Sequence, residues 1–330
     1  MRRATARAGA NVALVKYWGK RDEERNLPAV GSISVTLGDL VATAQVAVDE
    51  ETPRFSSGGE AVAGRAAERM ANYLDWLAGA LGTAGRLSVD VETTFPVGAG
   101  LASSAAIHCA VAAASASALD TPVDLTRLSG LARVGSGSAA RSVFGGWVEW
   151  HRGEREDGLD SVAEPILGEH DWPVGLVVAL AHEGPKDVPS RDAMRHVSRT
   201  SPLYPGWLEA QDPDLTAMRS AIAARDFAVV GTIAEENCLR MHATGFAARP
   251  PVVYWSPATL AAMEAVRGLR RDGCEAYFTI DAGAQVKVLC RPAAVQDVAD
   301  AMARVPGVVR VLRSRLGPGV EMLEGAAPWK

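Results

Sequence analysis

The sequence has little cysteine, little lysine and no long apolar segment, and each shortage removes a class of protein. Four of the 330 residues are cysteine, and none forms a CxxC pair, so zinc sites and a disulfide framework are not expected. We predict free, buried thiols in a reducing cytoplasm. No run of about 18 apolar residues occurs, so no transmembrane helix is expected.

Charge excludes two further classes of protein. The formal net charge is -5 and the isoelectric point is near 5.8, which argues against general nucleic-acid binding. Three arginines lie at positions 2, 3 and 7, but no apolar segment follows them, so we expect no targeting peptide. The chain is therefore predicted to be a soluble globular protein of the cytoplasm.

The shortage of lysine is informative in another way. The chain has 29 arginines and five lysines, so arginine serves wherever a general positive charge is sufficient. A lysine that persists is expected where a compact ammonium group is needed. Lys16 and Lys20 stand close together in one polar, aromatic segment, which makes both of them candidates for a binding site.

Apolar residues are plentiful, and their spacing outlines the fold. With 48% hydrophobic residues, the chain suits one large or two ordinary domains, and a proline-broken polar segment predicts a boundary near residue 185. Strand patterns cover residues 7–16, 31–37, 40–49, 86–94, 147–151, 172–181, 276–280, 286–290 and 308–312. Helical patterns cover residues 60–80, 105–119, 125–134, 213–244 with a break at 224–226, 257–272 and 293–305.

A loop of small residues at positions 96–106 (PVGAGLASSAA) dominates the functional interpretation. It lies between a predicted strand and a predicted alanine-rich helix, so backbone N–H groups and the positive end of a helix dipole meet there. Gly98 and Gly100 would let the backbone approach an anion, and Ser103 and Ser104 could bind phosphate or a metal. The loop lacks the GxxxxGK[ST] pattern of P-loop enzymes. The alternative interpretation is a structural turn packed on a sheet.

A second loop, at positions 135–146, also suits an anionic ligand. It places Ser136, Ser138 and Arg141 among glycines and other small residues. The planar guanidinium of Arg141 matches the geometry of a carboxylate or a phosphate. The alternative interpretation is a mobile surface loop.

Two segments of the C-terminal half carry further polar candidates. Lys186, Ser190 and Arg191 stand at the predicted start of a helix, where they could meet an anion or simply form a polar linker. Asp281 ends an apolar strand and precedes a glycine turn, so it either faces a cleft or caps an Asx turn. The chain thus offers hydrogen-bond donors for phosphate, separated basic groups and one carboxylate. This combination suits phosphoryl transfer, with Mg2+ bound to a nucleoside triphosphate.

These segments resemble those of the GHMP kinase superfamily. Its phosphate loop has the form P-x-x-x-G-L-x-S-S-A, and residues 96–105 match every specified position. Within the superfamily the chain is similar to the diphosphomevalonate decarboxylase family. The matching segments run in order along nearly the whole chain: 11–20 (NVALVKYWGK), 135–142 (GSGSAARS), 144–146 (FGG), 200–202 (TSP), 241–244 (MHAT) and 281–283 (DAG).

The resemblance implies a fold and a reaction. The fold is α+β, with an ATP-binding domain like that of ribosomal protein S5 over residues 1–185 and a ferredoxin-like domain over residues 186–330. In the reaction, ATP phosphorylates the 3-hydroxyl of mevalonate 5-diphosphate, the 3-phosphate leaves and CO2 is lost. The products are isopentenyl diphosphate, ADP and phosphate. ATP and Mg2+ are implied, together with a cytoplasmic homodimer.

The resemblance also assigns residues to these steps. Asp281 would orient the 3-hydroxyl or take its proton, Lys16 would keep Asp281 ionised, and Arg141 would hold the substrate carboxylate. The substrate diphosphate and its pocket would involve Tyr17, Lys20, Ser136, Gly137, Ser138, Ser190 and Arg191. The ATP phosphates would be cradled by Pro96, Gly98, Gly100, Leu101, Ala102, Ser103 and Ser104, with Ser104 also a candidate ligand of Mg2+.

Some positions depart from the family pattern. Ala284 and Gln285 replace Pro-Asn after the DAG turn, which predicts a looser turn at Asp281. Asp192 adds a negative charge beside the expected diphosphate site, and we hypothesise that it weakens the preference for a diphosphate over a monophosphate. Three alternatives therefore stay open: a decarboxylase of mevalonate 5-phosphate, a kinase that stops before decarboxylation, and a non-catalytic ligand sensor.

Overall fold

The computed structural model describes residues 2–49, 55–83, 86–96, 103–184 and 186–324. Within these ranges the chain has the α+β architecture that the resemblance implies. The strands are β1 (Arg3–Val15), β2 (Lys20–Asp22), β3 (Leu27–Pro28), β4 (Ser32–Asp49), β5 (Phe55–Ser57), β6 (Glu60–Ala61), β7 (Arg86–Thr93), β8 (Trp147–Trp150), β9 (Ala163–Leu167), β10 (Gly175–Leu180), β11 (Ala276–Ile280), β12 (Val286–Cys290), β13 (Arg310–Arg315) and β14 (Glu321–Leu323). The helices are α1 (Arg65–Ala80), α2 (Ser103–Ala118), α3 (Leu125–Gly135), α4 (Ala139–Ser142), α5 (Ser190–Thr200), α6 (Tyr204–Ala224), α7 (Phe227–Phe246), α8 (Pro257–Arg271) and α9 (Val295–Ala303).

The larger sheet is organised around the long antiparallel pair β1 and β4. Its strand order is β14-β1-β4-β7-β5-β6, with β8 paired to β4 and β9 paired to β8. The register of β1 on β4 shifts between Gly9 and Asn11 and again between Ala13 and Val15. A Cβ at Gly9 would lie 2.2 Å from the carbonyl oxygen of Leu37, so only glycine fits this close approach. Such shifts bend a strand and redirect its side chains, here just before Lys16.

The smaller main sheet has the order β11-β12-β10-β13, and all of its pairs are antiparallel. Leu289 on one face belongs to the core shared with β1 and β4, whereas Val288 on the other face packs in the core beneath α8 and α9. Each main sheet takes strands from both sides of residue 185, because β10 joins the smaller sheet and β14 the larger one. The domain boundary near residue 185 therefore stays a prediction.

Helix α2 packs against β1 and β4 with small side chains on every side. Its alanines are fully buried, and close packing of this kind requires short side chains along the whole helix. The predicted helix over residues 105–119 is confirmed, although it begins two residues earlier, at Ser103. Ser103 and Ser104 consequently stand in its first turn.

A row of aromatic side chains joins the two main sheets. Trp147 of β8 stacks on Trp172 at a centroid distance of 4.7 Å, and its indole N–H donates a 3.1 Å hydrogen bond to the Trp172 carbonyl. Edge contacts continue from Trp172 to Phe227 of α7 and from Phe227 to Tyr277 of β11. The row fixes β8 of the larger sheet relative to β11 of the smaller one.

Most predicted elements are confirmed, and the differences have local causes. Residues 31–37 and 40–49 form the single strand β4 rather than two strands, since the chain stays extended through residues 38 and 39. The helix predicted from residue 60 starts at Arg65, because residues 60–61 pair as β6. The predicted break at 224–226 is confirmed: Arg225 has a left-handed φ of 55°, and Asp226 caps α7.

The described helices include none with the length and apolar character needed to cross a membrane.

The aromatic row generates a stability prediction. Trp147→Ala is expected to lower the free energy of unfolding by about 3–5 kcal/mol, because it empties a fully buried position and breaks the indole hydrogen bond. Trp76→Ala is the control: Trp76 is 41% exposed, and its loss should cost less than about 1 kcal/mol. Urea unfolding followed by circular dichroism measures both variants. Equal losses would contradict the role of Trp147 between the sheets.

Candidate active site

Lys16 lies at the end of β1, where the two halves of the chain meet. Its side chain is buried, and its Nζ donates hydrogen bonds to the Ala13 carbonyl at 2.7 Å and to Asp281 Oδ1 at 2.6 Å. Its backbone N–H donates to Asn237 Oδ1 of α7 at 2.8 Å. The ammonium is therefore held by Ala13 of β1 and by Asp281 after β11, and the backbone of Lys16 is held by helix α7.

Asp281 follows β11 and is enclosed by two lysines. Oδ2 lies 3.2 Å from Nζ of Lys287, opposite the contact of Oδ1 with Lys16. Burial raises the pKa of Asp281, but the ammonium groups of Lys16 and Lys287 lower it more, and the net pKa falls well below its usual range. Among the described residues, none donates an aligned hydrogen bond to Oδ2. This oxygen can therefore accept a hydrogen bond from a bound molecule.

Arg141 occupies the short helix α4 and is almost completely buried. Its Nη2 donates to Asn11 Oδ1 at 2.9 Å, and its Nη1 donates to Ser32 Oγ at 2.5 Å. Burial lowers the pKa of Arg141 to about 10, against the opposing effect of Asp281, so the guanidinium stays charged at neutral pH. The second loop is thus an ordered element rather than the mobile surface loop that was the alternative.

Tyr17 packs against the second loop. A Cβ on Gly137 would lie 2.7 Å from the Tyr17 hydroxyl, and the Tyr17 ring meets Trp150 edge-on at 4.8 Å. Burial raises the pKa of Tyr17 above its usual range, and its hydroxyl has no hydrogen-bond partner among the described residues. Ser136 and Ser138 lie beside it, with hydroxyl oxygens 3.5 Å apart. These hydroxyls form a set of donors around one small-residue loop.

A group of cations surrounds the start of α5. Lys186 Nζ donates to Ser190 Oγ at 2.8 Å and to the Ala282 carbonyl at 2.6 Å. Burial and the nearby Lys287 lower the pKa of Lys186 to about 8. Burial and Arg191 likewise lower the pKa of Lys20. Four positive side chains thus crowd a partly buried region, which is an arrangement that suits a multiply charged anion.

The predicted phosphate loop is only partly described. Gly98, Gly100, Leu101 and Ala102 lie outside the described residues, so their role stays a prediction. Pro96, Ser103 and Ser104 are described: Ser103 is buried at the start of α2, and Ser104 is exposed beside it. The backbone carbonyl of Ser104 lies 2.8 Å from His108 Nδ1. Among the described residues no His, Cys, Asp and Glu cluster could hold a metal by itself.

The departures from the family pattern have visible consequences. Gln285 anchors the DAG turn to the end of β10. Its Oε1 accepts a hydrogen bond from the Ala181 N–H at 2.6 Å, and its Nε2 donates one to the His182 carbonyl at 2.5 Å. The expected looser turn is therefore wrong. The Asp192 carboxylate is paired with Arg195 at 2.9 Å and with Arg65 at 3.7 Å, so its charge is compensated.

Three residues of this site carried no role in the sequence interpretation. Asn11 opens the matching segment and orients Arg141, while Asn237 holds the backbone of residue 16. Lys287 stands between two valines in a buried strand. A lysine in an apolar strand of a lysine-poor chain was a usable signal, whereas the two asparagines carried none.

The site has three features: a helix that begins after a glycine-rich loop, a partly buried carboxylate between two ammonium groups, and a cluster of cations. Together with the phosphate-loop resemblance of residues 96–105, they indicate an enzyme of the GHMP kinase class that transfers a phosphoryl group.

Comparison with known proteins narrows this class. Residues 8–163 match the model of the diphosphomevalonate decarboxylase-like N-terminal domain, and residues 176–314 match that of the mevalonate 5-diphosphate decarboxylase C-terminal domain. Diphosphomevalonate decarboxylase mvd1 of Aspergillus fumigatus is 34% identical, over 98% of this chain and 83% of the relative. The Candida albicans diphosphomevalonate decarboxylase is 31% identical over 96% of each chain. This chain belongs to the diphosphomevalonate decarboxylase family.

Solved structures agree with this assignment. Mevalonate diphosphate decarboxylase from Staphylococcus aureus superposes with a TM-score of 0.92 at 35% identity, covering 98% of each chain. MDDEF in complex with MVAPP, AMPPCP and magnesium superposes with a TM-score of 0.90 at 36% identity, covering 98% of this chain and 99% of that one. The α+β fold derived above is thus the fold of this family.

The site generates a prediction about Lys186. After reductive 13C-methylation, the resonance of Lys186 is expected to titrate near pH 8, because burial and Lys287 disfavour its charged form. With five lysines in the chain, the NMR spectrum is simple, and a Lys186→Met variant assigns the signal by its absence. A midpoint near the ordinary value of about 10.4 would contradict the buried placement beside Lys287.

Proposed function

We propose that this chain converts mevalonate 5-diphosphate and ATP to isopentenyl diphosphate, CO2, ADP and phosphate. The observation that carries the proposal is the Asp281 carboxylate, which is held between two ammonium groups and keeps Oδ2 open for a donor. The assignment is supported by family membership and by a related structure that contains MVAPP, AMPPCP and magnesium.

In this proposal Asp281 orients the 3-hydroxyl of the substrate toward the γ-phosphate of ATP. A carboxylate whose pKa is held so low is a weak base for an alcohol. It can still accept a hydrogen bond from the hydroxyl at Oδ2 and hold the attacking oxygen in line. In a loose phosphoryl-transfer transition state the proton is lost late, when the hydroxyl has already become acidic. Orientation is therefore the larger contribution of Asp281.

Arg141 holds the substrate carboxylate until it departs as CO2. The guanidinium is fixed by Asn11 and Ser32, so little conformational entropy is lost when it binds. A planar fork donates well to the two oxygens of a carboxylate. Removing one positioned donor of this kind typically costs ~10²–10³ in rate.

The substrate diphosphate is bound by the donors around the second loop and the start of α5. The buried Tyr17 hydroxyl, the ammonium of Lys20 and the guanidinium of Arg191 supply charge and hydrogen bonds, as do Ser136, Ser138 and Ser190. Gly137 leaves room for Tyr17. Lys186 adds an ammonium that is partly neutral near its pKa of about 8 and becomes fully charged when an anion approaches it.

The ATP phosphates are placed at the start of α2, with Pro96, Ser103 and Ser104 at the edges of the loop. The exposed Ser104 hydroxyl suits a magnesium ion that is bound mainly by phosphate oxygens. Such an ion, when bound, neutralises charge on the β- and γ-phosphates. The backbone N–H groups of the first turn of α2 face the same point.

The alternatives are less well supported. The charge of Asp192, which favoured a monophosphate substrate, is compensated by Arg195 and Arg65. A ligand sensor would not require the retained contact of Lys16 with Asp281. A kinase without decarboxylation would use the same contact, so membership of the decarboxylase family argues against it. A cytoplasmic location is supported by four free cysteines, of which three are buried. The homodimer is carried by the family resemblance alone, and the two-domain division near residue 185 by that resemblance and the proline-broken segment of the sequence.

The proposal predicts the products from a panel of three substrates. With Mg-ATP, purified protein is expected to release ADP and CO2 in equal amounts from mevalonate 5-diphosphate, and to turn over mevalonate 5-phosphate and mevalonate at least ~10²-fold less efficiently. Coupled ADP assay and 14CO2 release measure both products. Release of ADP without CO2 would identify a kinase. A preference for mevalonate 5-phosphate would change the substrate assigned to the protein. No turnover of any of the three substrates would refute the proposal that the protein is an enzyme of this reaction.

A second prediction concerns the glycine beside Tyr17. Gly137→Ala is expected to raise the KM for mevalonate 5-diphosphate about tenfold, because a Cβ 2.7 Å from the Tyr17 hydroxyl must displace it. The KM for ATP should stay unchanged. Gly130→Ala is the matched control, since nothing lies within 4 Å of its added Cβ, and a helical alanine stabilises by about 0.5–1 kcal/mol. Equal KM values of the two variants for mevalonate 5-diphosphate would show that Tyr17 does not contribute to the diphosphate site.

A further inference from the structure

Lys287 is a buried cation that the reaction scheme above does not use. It lies in the middle of β12, its side chain is 1% exposed, and its Nζ is 3.2 Å from Asp281 Oδ2. Lys16 already contacts the other oxygen of the same carboxylate, at 2.6 Å. One carboxylate therefore lies between two ammonium groups, one directly after β1 and the other within β12.

The alternation of β12 explains why this residue reaches Asp281. Val286 and Val288 point into the core beneath α8 and α9. Lys287 and Leu289 point to the opposite face, where Leu289 packs in the core shared with β1 and β4. The cross-strand partner of Lys287 is Thr279, whose hydroxyl donates to the Ala13 carbonyl, as Lys16 does. Only the Lys287 position of β12 presents a long side chain to this junction.

The lysine content of the chain points to the same place. Of the five lysines in a chain with 29 arginines, Lys16, Lys186 and Lys287 all interact electrostatically with Asp281. A buried ammonium is expensive to desolvate, and one cation is enough to neutralise one carboxylate. A second buried ammonium on the same carboxylate is therefore not explained by neutralisation of Asp281.

We propose that Lys287 is a positioning residue for the phosphoryl-transfer step: it holds Asp281 ionised and fixes the direction of Oδ2 toward the substrate hydroxyl. This inference rests on the proposed function. Lys16 donates a hydrogen bond to Oδ1, and Lys287 attracts Oδ2 through an ion pair. The carboxylate is thus restrained at both oxygens, while Oδ2 can still accept a hydrogen bond from the substrate. The excess positive charge of Lys16 and Lys287 also offsets the negative charge of the phosphates that must approach the same point.

The proposal has a pH signature. The groups that act on this cluster are Lys16 of β1, Lys186 before α5, Arg141 of α4, and Cys238 and His242 of α7. Burial keeps Cys238 and His242 neutral near pH 7. An opposite charge at this distance lowers a carboxyl pKa by about 1–3 units. Removing Lys287 therefore raises the pKa of Asp281, so kcat begins to decline at a higher pH on the acid side of its pH profile.

The experiment compares Lys287→Met with the wild type in complete, purified protein. We expect kcat to fall roughly 10²-fold near pH 8, with little change in the KM for ATP. The ratio of variant to wild-type kcat should fall further as the pH decreases from about 6 to about 4, because Asp281 becomes protonated at a higher pH in the variant than in the wild type. Titration of the substrate phosphates affects both proteins equally and cancels in the ratio.

Three further variants make the result decisive. Val288→Ala loses packing on the same strand without loss of charge, so its ratio should not depend on pH. Lys287→Arg keeps the positive charge and should likewise give a flat ratio. If Lys287→Met does not fold, Lys287→Gln provides a second neutral side chain with the same expected pH dependence. Thermal unfolding verifies the fold of each variant.

The outcomes separate the inference from the proposed function. No turnover by the wild type refutes the proposed function. Turnover by the wild type together with a flat ratio for the neutral variants, or full activity without Lys287, overturns the role of Lys287. A ratio that falls with pH for the neutral variants and stays flat for Lys287→Arg and Val288→Ala supports it.

Discussion

The structure depends on one partly buried carboxylate placed between ammonium groups at the junction of the two main sheets. Lys16 and Asp281 are 265 positions apart in the chain, yet their side chains are 2.6 Å apart. A buried charge is tolerated only when its partner is present and well oriented. The contact therefore forms only when the end of β1 docks against the end of β11, so the completed fold and the completed site are the same event.

The surrounding fold makes this contact rigid. The row from Trp147 to Tyr277 joins the two sheets by packing, which is strong but weakly directional. Direction comes from polar groups: Asn237 accepts from the backbone N–H of Lys16 and donates to Asp214, which ties α7 to α6. Apolar area thus supplies the stability, and a few hydrogen bonds set the position of the ammonium.

The strands and helices could largely be predicted, because their signals are local. Short, largely apolar runs marked the strands over residues 276–280 and 286–290 at their observed bounds. The sequence also singled out Arg141 and Asp281, because an arginine among small residues and a carboxylate after a strand have chemical meaning in a short segment. The role of the phosphate loop stays a prediction. The single strand β4 was not predictable, because the local sequence Gly38-Asp39 is typical of a turn. The segment is extended here because it packs beside β1 and β13.

Contacts between distant segments could not be predicted in the same way. The hydrogen bond from Arg141 to Asn11 joins residues 130 positions apart, and no local pattern encodes it. The tight DAG turn was missed for the same reason: Ala284 and Gln285 suggest looseness, but Gln285 is anchored to the backbone of residues 181 and 182. The side chain next to the replaced proline can restrain the turn through tertiary hydrogen bonds, which a family pattern does not record.

The charge distribution links this architecture to chemistry. The chain as a whole is acidic, with a net charge of -5, but the interior around Asp281 gathers Lys16, Lys186, Lys287 and Arg141. A positive interior in an acidic protein attracts a substrate that carries a carboxylate and phosphates. In the proposed reaction the bound phosphates face these cations, and Asp281 is the carboxylate placed to accept a hydrogen bond from the substrate hydroxyl and so to orient it.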